Sequence, residues 1–204
     1  MRVALVGCGQ IARAHIGALA GQADLTIVGV CDRDEQQARQ AAALSGARPY
    51  TDLETMLRTE RPNAVHVLTP PATHANLAIA AIEAGCHVLV EKPMALSLAD
   101  ADRMIAAATA RGVMLGTNHN YRHKPSISKA ERLVAAGAIG RVVHVNAYYG
   151  VSDEAEAMAN AGGNHWAYRL PGGVFTDYLP HLLYLQMALL PGLGGGGGVP
   201  VGGG

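Results

Sequence analysis

The sequence predicts an α/β protein in which an N-terminal doubly wound parallel sheet leads into an incomplete α+β second domain. Three observations predict it. Short β-branched runs alternate with longer Ala- and Leu-rich segments of helical period, the pattern of parallel strands wrapped in helices. The first run ends in a glycine turn that opens a helix. After about Asn118 the alternation stops, so the expected divisions are residues 1–118, 119–190 and a Gly-rich tail over 191–204.

The expected strands are RVALV (2–6), TIVGVC (26–31), AVHVLT (64–69), HVLVE (87–91) and VMLGT (113–117). Helices between them carry start signals. Thr51 with Glu54, and Ser97 with Asp100, have capping-box spacing, and Thr73 is placed to cap the helix that Gly85 ends. Beyond Asn118 a helix over 126–136 is stopped by Gly137, and RVVHVNAYY (141–149) reads as one strong strand. A polar, Gly-containing loop follows, then a helix over 176–190. Pro180 lacks the N–H a helix interior needs and is harmless only in a first turn, which pins that helix's start near Thr176.

Composition removes several classes of function. Lys+Arg and Asp+Glu balance at 16 each and charged residues make up 16% of the chain, so neither disorder nor nucleic-acid binding is expected. Cys8, Cys31 and Cys86 are odd in number, scattered and without metal-ligand spacing, which fits free thiols in a reducing compartment. The opening apolar run is too short for a signal sequence, and no stretch approaches the roughly 20 apolar residues of a membrane span. A cytoplasmic protein without a metal site is the expectation.

Gly7-Cys8-Gly9-Gln10-Ile11-Ala12 matches G-x-G-x-x-A directly after the first strand. Gly7 turns tightly, Gly9 lets the backbone approach a pyrophosphate, and Ala12 lets the helix lie against the strand. The phosphates then meet the free N–H groups and positive end of the helix, with Gln10 and Ile11 in its first turn. Asp32 closes the second strand, where its carboxylate is placed to accept from ribose hydroxyls and to repel a 2′-phosphate. That favours NAD, while Arg33 beside it, able to stack on adenine or pair with a phosphate, keeps NADP open.

TPPATH (69–74), VEKP (90–93) and GGVFTDYLPH (172–181), together with the glycine turn, resemble the Gfo/Idh/MocA family of sugar and cyclitol dehydrogenases from Met1 to about Leu190. The resemblance implies a Rossmann NAD(P)-binding domain over 1–118 and a substrate and oligomerisation domain over 119–190. It also implies that Lys92, Asp177 and His181 form the reaction centre, with Glu91 and Lys92 among the cofactor contacts, and that Pro93 follows a cis bond. The residue types agree with that chemistry. Lys92 ends a parallel strand, where open α/β sheets bind ligands. Asp177 and His181 are four apart, on one helical face, and imidazole is suited to take a hydroxyl proton near neutral pH. Thr69, Pro70, Pro71 and His74 are expected to line the nicotinamide side of the cleft. Asn120, Tyr121 and Arg122, with Trp166 and Arg169, mix hydrogen-bond donors with aromatic faces and are the expected substrate contacts. The histidines His15, His66, His87 and His144 read as packing or surface residues.

The sequence departs from the family after residue 149. Members complete the second domain with a broad open sheet that also builds a homo-oligomer interface, and only 141–149 resembles one of its strands. A lone strand exposes its backbone groups and apolar faces. The Gly/Pro-rich tail has no apolar period, is expected to be poorly ordered, and reads as the mark of an interrupted domain. The expected function is hydride transfer between a nicotinamide cofactor and a secondary alcohol or ketone of a small sugar, polyol or cyclitol. The alternative is a truncated, non-catalytic nucleotide-binding protein that retains only the Rossmann half.

Overall fold

The computed structural model describes residues 1–148 and 166–190, and the chain divides into two compact units, Met1–Asn118 and His119–Gly204. The first unit alternates strictly: β1 (Arg2–Val6), α1 (Gln10–Ala20), β2 (Thr26–Cys31), α2 (Glu35–Ser45), β3 (Arg48–Tyr50), α3 (Leu53–Glu60), β4 (Ala64–Val67), α4 (His74–Glu83), β5 (His87–Val90), α5 (Leu98–Arg111) and β6 (Leu115–Thr117). All strand pairs are parallel, in the order β3-β2-β1-β4-β5-β6. The chain runs outward from β1 to one edge and then returns to build the other half. This reversal opens a crevice at the carboxyl ends of β1 and β4, where open α/β sheets take ligands.

Both faces of the sheet are covered, which explains why its strands read as near-continuous apolar runs. Along β1 the side chains alternate. Ala4 and Val6 join Val65, Val67, Val88 and Val90 against Met56, Ile82 and Met104. Val3 and Leu5 join Val30 against Ala12, Ile16 and Ala41 on the opposite face. Ala78 and Ala81 are fully buried, so α4 lies close to the sheet because no bulk separates them.

Several expectations change in detail. β3, with the sequence RPY, was not among the expected strands; its Pro49 is tolerated because β3 is an edge strand. The cap of α3 is Asp52, whose side chain accepts from the Thr55 N–H at 2.8 Å, rather than Thr51. Ser97 caps α5 as expected, accepting from the Asp100 N–H at 3.1 Å. Thr73 precedes α4 but makes no cap; its hydroxyl donates to Pro70 O at 2.9 Å and lies 2.7 Å from Thr69 Oγ1. Among the described residues no helix is long and apolar enough to cross a membrane.

The described part of the second unit contains α6 (Pro125–Ala135) and α7 (Val174–Leu189), with 3₁₀ turns at Asn120–His123 and Trp166–Arg169. α7 begins two residues earlier than the Pro180 argument required, so Pro180 lies inside it. Pro180 therefore leaves the Thr176 carbonyl without the usual i+4 donor, a local break the helix tolerates beyond its first turn. Of the strand expected over 141–149, residues 142–148 pair with no strand among the described residues, and Val143 and Tyr148 are 73% and 92% exposed. A β-run without a ladder partner has nothing to satisfy its backbone or cover its faces. Tyr149 and the tail over 191–204 lie outside the described residues.

Candidate active site

The glycine turn sits at the crevice between β1 and β4. Gly7 has φ +92°, and a Cβ there would come within 2.8 Å of the Leu68 carbonyl and the Thr69 nitrogen. Gly9 is different, since a Cβ there would meet no protein atom within 4 Å. Gly7 is thus demanded by the fold, whereas Gly9 keeps open space beside the start of α1. That helix has no side-chain cap and no acidic residue in its first turn, so Gln10 and Ile11 begin a terminus suited to an anion. Ala12 is buried where the helix meets the sheet. These residues fit a dinucleotide's pyrophosphate.

Asp32 locks the turn from the end of β2. Its Oδ2 accepts the Cys8 N–H at 2.8 Å and its Oδ1 accepts the Asp34 N–H at 2.9 Å. Each carboxylate oxygen has a second lone pair, so this bracing leaves Asp32 able to accept from a ribose. Arg33 is exposed beside it. Burial first, then the Asp32 and Cys31 charges, push the Cys8 thiol up to about 12, so it stays protonated and unreactive.

Lys92 lies two residues beyond β5, and the Lys92–Pro93 peptide is cis. Glu91, expected among the cofactor contacts, turns its carboxylate inward: Oε1 lies 2.9 Å from His15 Nε2 and takes the Asn118 amide at 2.5 Å, while Oε2 accepts the Lys92 N–H at 3.2 Å. Burial pushes this carboxyl up, but the hydrogen bonds from His15 and Asn118 outweigh it and hold the group below its ordinary range. His15 Nδ1 lies 3.0 Å from His66 Nδ1, so the two histidines expected to be packing or surface residues form part of one half-buried network. Burial first, then His15, push His66 down to about 4.

His74 also departs from its expected place on the cleft lining. It is fully buried, with Nδ1 2.9 Å from Pro93 O and Nε2 2.6 Å from Thr69 O. It is the first residue of α4. Pro71 is buried and Pro70 exposed.

In the second unit, Asp177 and His181 lie one turn apart on α7, 5% and 6% exposed. His181 Nδ1 is 2.6 Å from the Tyr184 hydroxyl, which also accepts the Tyr121 N–H at 3.2 Å and stands 3.5 Å from Asn120 Oδ1. The Tyr121 ring stacks on His181 at 4.4 Å, and His119 stacks on Tyr184 at 4.3 Å. Of the residues expected to meet substrate, Tyr121 thus packs on His181 and Asn120 lies beside the Tyr184 hydroxyl. Arg122 pairs with Glu131 at 2.8 Å. Trp166 and Arg169 belong to the 3₁₀ turn, and their side chains lie outside the described residues. Sequence reasoning missed Tyr184, whose only signal was its place one turn after His181, as well as His15 and Asn118. Among the described residues no group of three or more His, Cys, Asp or Glu is placed to hold a metal.

Comparison with known proteins gives the family. Residues 1–119 match the oxidoreductase family with an NAD-binding Rossmann fold, and residues 127–193 match the GFO/IDH/MocA C-terminal domain. The D-apiose dehydrogenase of Paraburkholderia graminis is 38% identical over 138 residues, 67% of this chain and 37% of its own. The dTDP-3,4-didehydro-2,6-dideoxy-alpha-D-glucose 3-reductase of Streptomyces violaceoruber is 30% identical over 191 residues, 93% of this chain and 54% of its own. The WlbA dehydrogenase from Chromobacterium violaceum, solved with NADH and UDP-GlcNAcA, is 32% identical with a TM-score of 0.80, over 93% of this chain and 55% of that one. The chain spans about half the length, or less, of these relatives. With its glycine turn and both matching regions in chain order, the chain belongs to the GFO/IDH/MocA family of oxidoreductases.

Proposed function

We propose that the chain is an NAD-dependent oxidoreductase, or the part of one that carries its reacting groups, acting on a secondary alcohol or ketone of a sugar, polyol or cyclitol. The observation that carries this reading is the asymmetry of the glycine turn: Gly7 is required by its own fold, and Gly9 keeps space at a helix start that no side chain caps. Space and unpaired N–H groups together suit a pyrophosphate. Asp32, already held by two backbone N–H groups, is fixed to accept from a ribose and to repel a 2′-phosphate, which favours NAD over NADP. The relatives act on sugars and nucleotide sugars by their names, and the substrate class here follows from theirs.

A bound nicotinamide supplies a hydride acceptor or donor. The chain's own residues supply proton handling and orientation. In oxidation His181, whose Nδ1 is hydrogen-bonded with the Tyr184 hydroxyl, takes the hydroxyl proton, and in reduction it returns one. Asp177 orients the substrate hydroxyl or the imidazolium. Lys92 hydrogen-bonds the substrate oxygen, favouring charge as it develops there.

NADH fluorescence titration tests the cofactor half, and a panel of sugars and polyols followed at the reduced-nicotinamide absorbance tests the chemistry. Binding, turnover, and loss of turnover in Lys92→Ala support the proposal. Binding without turnover, unchanged by Lys92→Ala, leaves a non-catalytic nucleotide-binding protein instead.

A further inference from the structure

The Glu91 N–H still donates to the Val67 carbonyl at 2.9 Å, and from there the chain to Pro93 leaves β5 as an irregular segment. It is nonetheless held at three successive residues. The Lys92 N–H reaches Glu91 Oε2 at 3.2 Å, and Glu91 Oε1 is held by His15 Nε2 at 2.9 Å and the Asn118 amide at 2.5 Å. The Pro93 carbonyl meets His74 Nδ1 at 2.9 Å, and the other nitrogen of that ring meets the Thr69 carbonyl at 2.6 Å. His15 and His74 are 9% and 0% exposed, so neither bond competes with bulk water.

Proton accounting gives these contacts direction. An ionised carboxylate only accepts, so Glu91 requires an N–H on His15 Nε2. His15 Nδ1 and His66 Nδ1, 3.0 Å apart, then hold one proton between them. The Thr69 and Pro93 carbonyls also only accept, and burial favours the neutral His74 ring, whose single N–H serves one of them at a time; donation to both belongs to the imidazolium. His15 stands on α1, the helix opened by the glycine turn, and His74 on α4, opened by the turn after β4. Two rings therefore tie the segment to both of its neighbouring turns.

We propose that His15 and His74 are positioning residues for Lys92, acting through Glu91 and Pro93 to fix the main chain that carries its ammonium. The inference rests on the reading of Lys92 given above. It replaces direct cofactor contact by Glu91 and His74 with indirect control of the nicotinamide end of the site.

The test uses the full chain with His15→Leu and His74→Phe, which remove the N–H groups and keep apolar bulk. Two readouts are taken: amide hydrogen exchange at Lys92, and dissociation constants for NADH and for ADP-ribose, which lacks the nicotinamide. The expected result is Lys92 exchange about tenfold faster with Leu5 unchanged, and NADH weakened about tenfold with ADP-ribose within about twofold. His15→Gln, which keeps a donor toward Glu91, recovers most of the loss. Unchanged Lys92 exchange, or equal weakening of both ligands with faster exchange throughout the sheet, overturns the proposal. If His15→Leu does not fold, Asn118→Ala removes the other donor to the same oxygen and carries the same expectation. Released Lys92 exchange in a chain whose wild type binds neither ligand supports the brace and refutes the cofactor reading.

Discussion

The Tyr184 hydroxyl lies 2.6 Å from Nδ1 of His181 and accepts the Tyr121 N–H at 3.2 Å. One oxygen thus sets both the ring that is to exchange a proton and the backbone beside it. Tyr184→Phe keeps the stack on His119 and removes only that oxygen. Losing hydrogen bonds to buried groups costs about 1–3 kcal/mol, to be read as a lower urea midpoint. Any activity should fall with its pH profile displaced, because Nδ1 loses the partner that sets its tautomer. An unchanged midpoint and profile would remove Tyr184 from the site.

Gly7 and Gly9 are two residues apart and should fail in opposite ways. At Gly7, an alanine meets positive φ and overlaps the Leu68 backbone, so Gly7→Ala should cost at least about 2 kcal/mol of stability. At Gly9, an alanine meets nothing in the protein. Gly9→Ala should fold normally and weaken NADH by at least about tenfold. Calorimetry and NADH titration on the pair check this. Full NADH affinity in Gly9→Ala would mean that no phosphate approaches the turn.

Asp32 braces the turn through the Cys8 and Asp34 N–H groups. Asp32→Ala should therefore cost about 1.5–3 kcal/mol, the range for hydrogen bonds to a charged group. It should also shift the ratio of NADPH to NADH affinity toward NADPH by about tenfold, because the charge that repels a 2′-phosphate is gone. Paired titrations measure the ratio, and an unchanged value would detach Asp32 from cofactor choice.

His66 makes the first unit sensitive to acid. Its folded-state value of about 4 lies below the ordinary 6.5, so between those values the unfolded chain binds more protons. Stability then rises with pH: the contribution of neutral His66 is complete above about 6.5 and is lost as pH falls toward 4, on the order of 3 kcal/mol. His66→Gln, which does not titrate, should flatten this part of the profile. Urea midpoints measured between about pH 7 and pH 4.5 decide it, and parallel slopes for the two proteins would contradict the assignment.

Much of this protein was written in local pattern. Alternating apolar runs specify parallel strands because the side-chain period of a strand is two and both faces of this sheet are covered. The same locality made the glycine turn legible, since the demands on Gly7 and Ala12 come from a few adjacent residues. The D-x-x-x-H spacing on α7 follows from helix geometry alone. Local reasoning erred where several signals competed within a few positions. Asp52 took the cap expected of Thr51 because it stands at the residue that immediately precedes the first turn of α3.

By itself, then, the sequence determined the α/β class, the turn at the end of β1, and the one-turn spacing of Asp177 and His181. Tertiary structure decided what surrounds them. The His15–His66, His15–Glu91 and Asn118–His15 contacts join residues 51, 76 and 103 positions apart, and they exist because the sheet order sets β4, β5 and β6 side by side past α1. No local period encodes such neighbours. Burial likewise turned His74 from an expected lining residue into a strut. Periodicity records which face a residue takes, whereas hydrogen-bond partners depend on which elements the folded chain brings to that face.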